Sequence, residues 1–324
     1  MTQASDGYFS DLTEAIGRGW NRFWFTPADP LPCAVLRIGV GLLTIAHLLC
    51  LGGELDRWYG RDALLTPAAV AELHRLSSEE ARYHISALGR YAAPEINYHL
   101  WAAIAVAAAF TAGLLTPLSG ALTLAALLSF VHRVPQVAGH VEPVLAFLLF
   151  YLSLAPSWAR LSLDRLIFAR KKQPPPNAPA VSPLVGISAN IGLRLIQVHL
   201  AMFVAMMGLT KLYGDAWWEG SAIWFLLAQT QSRPLDLSGI RNGGKYGEFL
   251  INFWTLAIVY YELAFGVLIW SRALRPLLLA IGVLIWLSLI LATGQLLFGL
   301  TILLATAAFF ATTIESAARQ ASVA

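Results

Sequence analysis

The chain has 324 residues, of which 57% are hydrophobic and only 13% are charged, and its formal net charge is +3. Soluble domains carry about twice that charged fraction, so the composition excludes an ordinary soluble globular protein. Segment 157–188 holds five basic residues and one acidic residue, which is typical of a cytoplasmic membrane loop and not of a nucleic-acid interface. We therefore predict an integral membrane protein that contacts membrane lipid and binds no nucleic acid.

Eight windows of the sequence are apolar enough to cross a bilayer as helices. In chain order, the predicted helices span residues 33–51, 97–115, 117–134, 141–156, 190–212, 250–270, 275–293 and 296–314. Two further stretches, residues 8–25 and 161–172, mix apolar residues with charges at helical spacing and predict helices that lie on the membrane surface. The predicted fold class is all-α, a polytopic membrane bundle of about eight transmembrane helices with interfacial amphipathic helices.

These elements divide the chain into three predicted parts. Residues 1–32 form an N-terminal cytoplasmic or interfacial segment, residues 33–314 form the transmembrane domain, and residues 315–324 form a C-terminal tail. The basic and proline-rich loop 157–188 contains the stretch QPPPNAPAVSP. This composition predicts a stiff connector, which we expect to separate two helical bundles.

The basic residues of the loops predict the orientation of the bundle. With a cytoplasmic N-terminus, loop 157–188 and the turn that carries Arg272 and Arg275 both lie in the cytoplasm, as the positive-inside rule prefers. Both chain termini are then cytoplasmic. The fifth predicted helix ends at Lys211 on the outer face, and the fourth begins at the same face just after His140.

Two interpretations of Lys211 remain open from the residues alone. Its ammonium can rise into the lipid headgroup region, as lysines near helix ends commonly do. Alternatively, the bundle desolvates the amine and lowers its pKa, which leaves a neutral base. His140 is likewise either a hydrogen-bonded structural group or a reactive imidazole. Trp217 and Trp218 fit an interfacial aromatic belt or a lid over a site, and Gln295 reaches the same face.

Three ionisable residues, Arg37, Arg194 and Glu262, lie deeper in the predicted helices. Arg37 and Glu262 each stand several residues inside the cytoplasmic end of an apolar segment. Because buried charges in a membrane usually pair with one another, we predict a structural ion pair between Arg37 and Glu262. Histidine, cysteine and acidic residues show no metal-ligand spacing, so we predict no metal site.

Four stretches carry a resemblance to a known family. In chain order they are RFWFTPADPLPCAVLRIGVGLL, GHVEPVLAFLLFYLSLAP, GLTKLYGDAWWEGSA and GQLLFGLTILL. Together they resemble the vitamin K-dependent γ-glutamyl carboxylase family and its bacterial relatives, which share the membrane domain often called the horizontally transferred transmembrane domain. The similarity covers most of residues 20–314.

The resemblance implies a reaction and a site. Lys211 would deprotonate vitamin K hydroquinone or menaquinol, and the quinolate would react with dioxygen. The resulting alkoxide would remove a proton from the γ-carbon of a glutamate in a peptide or protein, assisted by His140. The carbanion would capture carbon dioxide, and the quinone would leave as the epoxide. The expected quinone- and substrate-binding residues are Tyr213, Trp217, Trp218, Glu219 and Gln295.

The resemblance also implies a bacterial inner-membrane protein whose active site lies near the extracytoplasmic side. Three positions depart from the family pattern: Thr210 and Gly139 stand where lysine and asparagine are frequent, and Tyr213 stands where the carboxylase has aspartate. These departures affect carboxylation more than quinol oxidation. The alternatives are a quinol-dependent peptide-maturation protein without carboxylation, a non-catalytic assembly partner and a transporter.

Overall fold

The computed structural model describes residues 3–60, 63–77, 86, 88, 93–169, 186–229 and 235–321. Within these ranges the chain is helical and forms no strand, apart from one isolated antiparallel bridge between Ala28 and Gly186. The predicted all-α fold class is therefore confirmed. The proline-rich stretch QPPPNAPAVSP lies outside the described residues.

The described ranges contain fourteen α-helices. They are α1 (Gln3–Phe25), α2 (Leu31–Gly52), α3 (Leu55–Trp58), α4 (Pro67–Ser77), α5 (Ala93–Ala112), α6 (Thr116–Arg133), α7 (Val141–Leu154), α8 (Leu163–Ala169), α9 (Ile187–Lys211), α10 (Asp215–Trp218), α11 (Ala222–Ala228), α12 (Lys245–Leu268), α13 (Arg275–Thr293) and α14 (Leu296–Ala321). Two short 3-10 helices occupy Ser157–Ala159 and Ser238–Gly243.

Each of the eight predicted membrane segments coincides with a helix, namely α2, α5, α6, α7, α9, α12, α13 or α14. Four of them, α2, α9, α12 and α13, are long and apolar enough to cross a membrane. Helix α7 and the apolar part of α14, Leu296–Phe310, are shorter. Eight spans thus remain a prediction. Helix α14 also continues to Ala321, past the predicted start of the tail at residue 315.

The two predicted amphipathic stretches are also helical. In α1, Phe9, Leu12, Ile16 and Trp20 are exposed at intervals of three and four residues, which places them on one face of the helix. Helix α8 accounts for the described part of the second stretch, and it exposes several leucine and isoleucine side chains. Their location on a membrane surface remains a prediction.

The chain forms two compact units. The first contains Met1–Gln136 and Leu148–Ile196, and the second contains Val137–Phe147 and Gln197–Ala324. Helices α7 and α9 contribute residues to both units. The boundary near residue 196 therefore falls inside α9.

In the first unit, Arg37 of α2 is completely buried. Its Nη1 donates a hydrogen bond to the carbonyl oxygen of Ser157 at 2.6 Å, and its Nη2 donates to that of Leu161. Gly113, at φ +75°, permits this approach, because a Cβ there would lie 2.8 Å from Nη1 of Arg37. The predicted ion pair between Arg37 and Glu262 is not formed, since Arg37 donates to main-chain carbonyls and Glu262 accepts hydrogen bonds from Lys211.

In the second unit, α9 and α12 pack closely through small residues. A Cβ on Gly266 would lie 2.6 Å from the Cβ of Ala205, and one on Gly208 would lie 3.1 Å from the Cβ of Glu262. Because glycine has no side chain, the two backbones approach at these positions. This contact brings Glu262 of α12 next to the last turn of α9.

Candidate functional site

Lys211 and Glu262 form a buried ion pair within the second unit. The Lys211 Nζ lies 2.8 Å from Oε1 and 2.7 Å from Oε2 of Glu262. The Glu262 side chain is 0% exposed and that of Lys211 is 16% exposed. The carboxylate therefore meets the amine through both oxygens in a site with little access to water, where an unpaired charge is costly.

The position of Lys211 at the end of α9 explains this contact. Side chains of a helix tilt toward its N-terminus, so the Lys211 side chain reaches back along the last turn, where Nζ lies 3.5 Å from the carbonyl oxygen of Met207. Gly208 lies in the same turn and lets α12 approach. Lys211 therefore points into the helix bundle of this unit, and the interpretation in which it extends into lipid headgroups does not match its contacts.

Trp217 covers a further side of the amine. The Lys211 Nζ lies 5.1 Å from the centroid of the Trp217 ring, within the range of a cation–π contact. The neighbouring Trp218 points elsewhere, because its Nε1 donates a hydrogen bond to the carbonyl oxygen of Leu212 at 2.6 Å and its side chain is 63% exposed. The two tryptophans therefore have different roles in the structure.

The ion pair lies in the wall of a pocket of about 160 Å³ in the second unit. Its polar or aromatic lining residues include His140, Lys211, Trp217, Glu262, Thr293 and Gln295. The rest of the lining is mostly apolar and comes from α9, α11, α12, α13 and α14. The pocket thus combines a few polar groups with hydrophobic walls, which is the usual character of a small-molecule site.

His140 reaches the pocket from the residue before α7. The backbone N–H of Gly139 donates to Oε2 of the buried Glu142 at 2.9 Å, which ties the chain before α7 to the first turn of that helix. The imidazole lies beside Phe298, with the ring centroids 5.7 Å apart. Phe298 in turn packs edge-on against Trp286 at 5.6 Å. His140 therefore stands at an aromatic wall of the pocket.

The structure brings together four of the predicted site residues, namely His140, Lys211, Trp217 and Gln295. Tyr213, Trp218 and Glu219 are exposed and are not among the residues that line this pocket; the Tyr213 side chain is 92% exposed. Their assignment to quinone or substrate binding remains a prediction.

Sequence reasoning assigned Glu262 to a structural pair and did not identify Trp286, Thr293 or Phe298. The sequence did contain one indication that Glu262 is unusual. Between Glu248 and the end of α12, it is the only ionisable side chain other than tyrosine. Hydropathy did not reveal its neighbour, because the neighbour depends on which helix packs against α12. Among the described residues, no group of three or more histidine, cysteine or acidic side chains is arranged to hold a metal ion.

The arrangement supports proton exchange. A lysine and a glutamate in direct contact can hold their shared proton as ammonium and carboxylate or as amine and carboxylic acid, and burial penalises the two charges of the first form. A hydroxyl group bound in the pocket would meet this pair at its wall. Comparison with protein-family models, with curated proteins and with solved structures gave no match to the chain.

Proposed function

We propose that this chain is a membrane enzyme that binds a reduced, lipid-soluble quinol in the pocket and uses Lys211 to deprotonate its hydroxyl group. Vitamin K hydroquinone and menaquinol are the candidate cofactors. The observation that carries the proposal is the position of the Lys211 amine, which is paired with the buried Glu262 at the wall of a largely apolar pocket. The resemblance of the four sequence stretches supports the same chemistry.

The size of the pocket favours a ring over a long chain. An engineered apolar cavity of about 150 Å³ binds benzene, and this pocket has about 160 Å³. A space of this size accommodates an aromatic ring, and we expect the prenyl tail to remain among lipids and helix surfaces. The polar residues would contact the hydroxyl groups, while Trp286 and Phe298 would pack against the ring.

The remaining steps follow from the resemblance. Dioxygen would add to the quinolate, and the strong base so formed would require a site that excludes water. His140 would act where a glutamate side chain of a peptide or protein loses its γ-proton, and carbon dioxide would then be added. We place the reaction near the extracytoplasmic side of a bacterial inner membrane, with both termini in the cytoplasm.

The direct test is epoxide formation by the purified protein in lipid nanodiscs supplied with reduced vitamin K and dioxygen. We expect Lys211→Ala to lower epoxide formation by at least about 100-fold, since general bases contribute on that scale. Lys245→Ala is the matched control, because Lys245 is an exposed lysine at the start of α12 in the same unit. Equal epoxide formation by wild type and Lys211→Ala would contradict the assignment of the base.

Labelled carbon dioxide separates the candidate activities. Label incorporated into a glutamate-containing peptide, together with epoxide, would establish the carboxylase reaction. Epoxide without label would support quinol oxygenation without carboxylation, and quinol oxygenation is the activity that the departures at Gly139, Thr210 and Tyr213 affect less. Quinone that co-purifies without turnover would instead indicate a non-catalytic partner or a transporter.

A further inference from the structure

We propose that Glu262 accepts the proton that Lys211 must lose before it can act, so that the two residues form a proton relay in which Lys211 takes the proton of the quinol. This inference rests on the proposed quinol chemistry and adds a positioning residue to it. The buried carboxylate is in contact with Lys211 through both oxygens, at 2.7 and 2.8 Å. The quinol would meet the amine, and Glu262 would act through it.

The contacts of Lys211 create the need for such a residue. An ammonium has three N–H donors and no lone pair, and in the structure Nζ contacts both oxygens of Glu262 and faces the ring of Trp217. These partners stabilise the charged form of the amine. A lysine held in this way becomes a base only when one of its protons moves to a neighbour, and Glu262 is in hydrogen-bonding contact and can take up a proton, unlike the carbonyl oxygen of Met207.

The transfer balances in protons and charge. One N–H bond of the Lys211 ammonium breaks and an O–H bond forms on Glu262, which leaves a neutral amine and a carboxylic acid. The O–H bond of the quinol then breaks and an N–H bond forms on Lys211, which gives the quinolate and an ammonium. No electrons are transferred between the quinol and the two side chains. The proton that the quinol loses stays on the Lys211–Glu262 pair.

The net charge of the site stays at zero through these steps. The site begins with an ammonium and a carboxylate and ends with an ammonium and a quinolate, while Glu262 is neutral. Without the relay, the amine would have to be neutral beside an ionised Glu262 before the quinol arrived, which leaves a lone carboxylate in a fully buried position. An uncompensated buried charge of this kind costs several kcal/mol. The relay avoids that intermediate.

The spectroscopic test uses reduced vitamin K without dioxygen, so it does not depend on later chemistry. Infrared difference spectra of the wild-type protein should show the carbonyl stretch of a new protonated carboxyl group when the quinol binds. The band should shift when the glutamates carry carbon-13, and it should be absent from Glu262→Gln. Quinol binding without this band would overturn the relay and leave the proposed function intact, whereas a failure of the quinol to bind would overturn both.

Turnover supplies the second test. Glu262→Gln keeps a hydrogen-bond acceptor for Lys211 but cannot hold the proton, so epoxide formation should fall by at least about 100-fold, and Glu262→Asp should restore part of it. Glu248→Gln, at an exposed glutamate of the same helix, should match wild type. Wild-type turnover by Glu262→Gln would overturn the relay. If that variant does not fold, the infrared band of the wild type decides the question alone.

Discussion

Arg37 and Arg133 of the first unit and the Lys211–Glu262 pair of the second unit are buried charges that are held in different ways. In the first unit, Arg37 donates to the carbonyl oxygens of Ser157 and Leu161, and Arg133 donates to the carbonyl oxygens of Tyr59, Gly60 and Leu65 at 3.1, 2.8 and 3.0 Å. In the second unit, Lys211 and Glu262 pair with each other beside a pocket. The first arrangement joins side chain to backbone, and the second joins two groups that can both exchange protons.

The two arrangements differ in whether the charged group can gain or lose a proton. Arginine stays protonated in proteins, and a carbonyl oxygen can only accept a hydrogen bond. These two arginines therefore hold main-chain segments in place and do not exchange protons. The lysine and the glutamate can change their protonation, and they lie next to a space that a ligand can enter. A buried pair of this kind contributes little net stability, which agrees with the proposed role of the pair in proton transfer.

The strongest test of this comparison removes both charges of the Lys211–Glu262 pair. We expect the double variant Lys211→Met/Glu262→Met to lose at least about 100-fold in epoxide formation. Its stability should stay the same or rise, because apolar replacement of a whole buried ion pair is often neutral or stabilising by about 1–4 kcal/mol. Thermal unfolding in detergent measures the second quantity. A loss of several kcal/mol would show that the pair is structural after all.

The same kind of substitution in the first unit should have the opposite result. Arg37→Met would leave two buried carbonyl oxygens without their donor, at about 1–3 kcal/mol each, so the free energy of unfolding should fall by about 2–6 kcal/mol. Quinol affinity of the folded protein should not change. Arg18→Met is the matched control, because Arg18 forms an exposed pair with Glu14 in the same unit and should contribute less than about 1 kcal/mol.

Much of the fold was predictable from the sequence, because apolar windows locate helices to within a few residues. The predicted topology also puts Lys211, His140 and Gln295 at one level, and all three line one pocket in the structure. The partner of Glu262 was not predictable in this way. Hydropathy gives the depth of a side chain in the bundle but not the direction in which its helix faces. That direction depends on the close packing at Gly208 and Gly266, which becomes visible only in three dimensions.

A matched pair of glycines extends the comparison to helix packing. In the first unit, a Cβ on Gly41 of α2 would overlap Thr111 of α5; in the second, a Cβ on Gly266 of α12 would lie 2.6 Å from the Cβ of Ala205. Overpacking of this kind costs about 1–3 kcal/mol. Gly41→Ala and Gly266→Ala should therefore reduce the free energy of unfolding by similar, modest amounts.

The two variants should differ in their effect on the pocket. Gly266 lies one helical turn from Glu262 on α12, so the displacement of α12 by an added methyl group should move the carboxylate relative to Lys211. Of the two variants, only Gly266→Ala is expected to weaken quinol binding. The measurement is the dissociation constant for reduced vitamin K in nanodiscs. Gly41→Ala changes only the packing of the first unit. Equal losses of affinity in both variants would mean that the Lys211 pocket responds to general destabilisation and not to the α9–α12 contact that positions its ion pair.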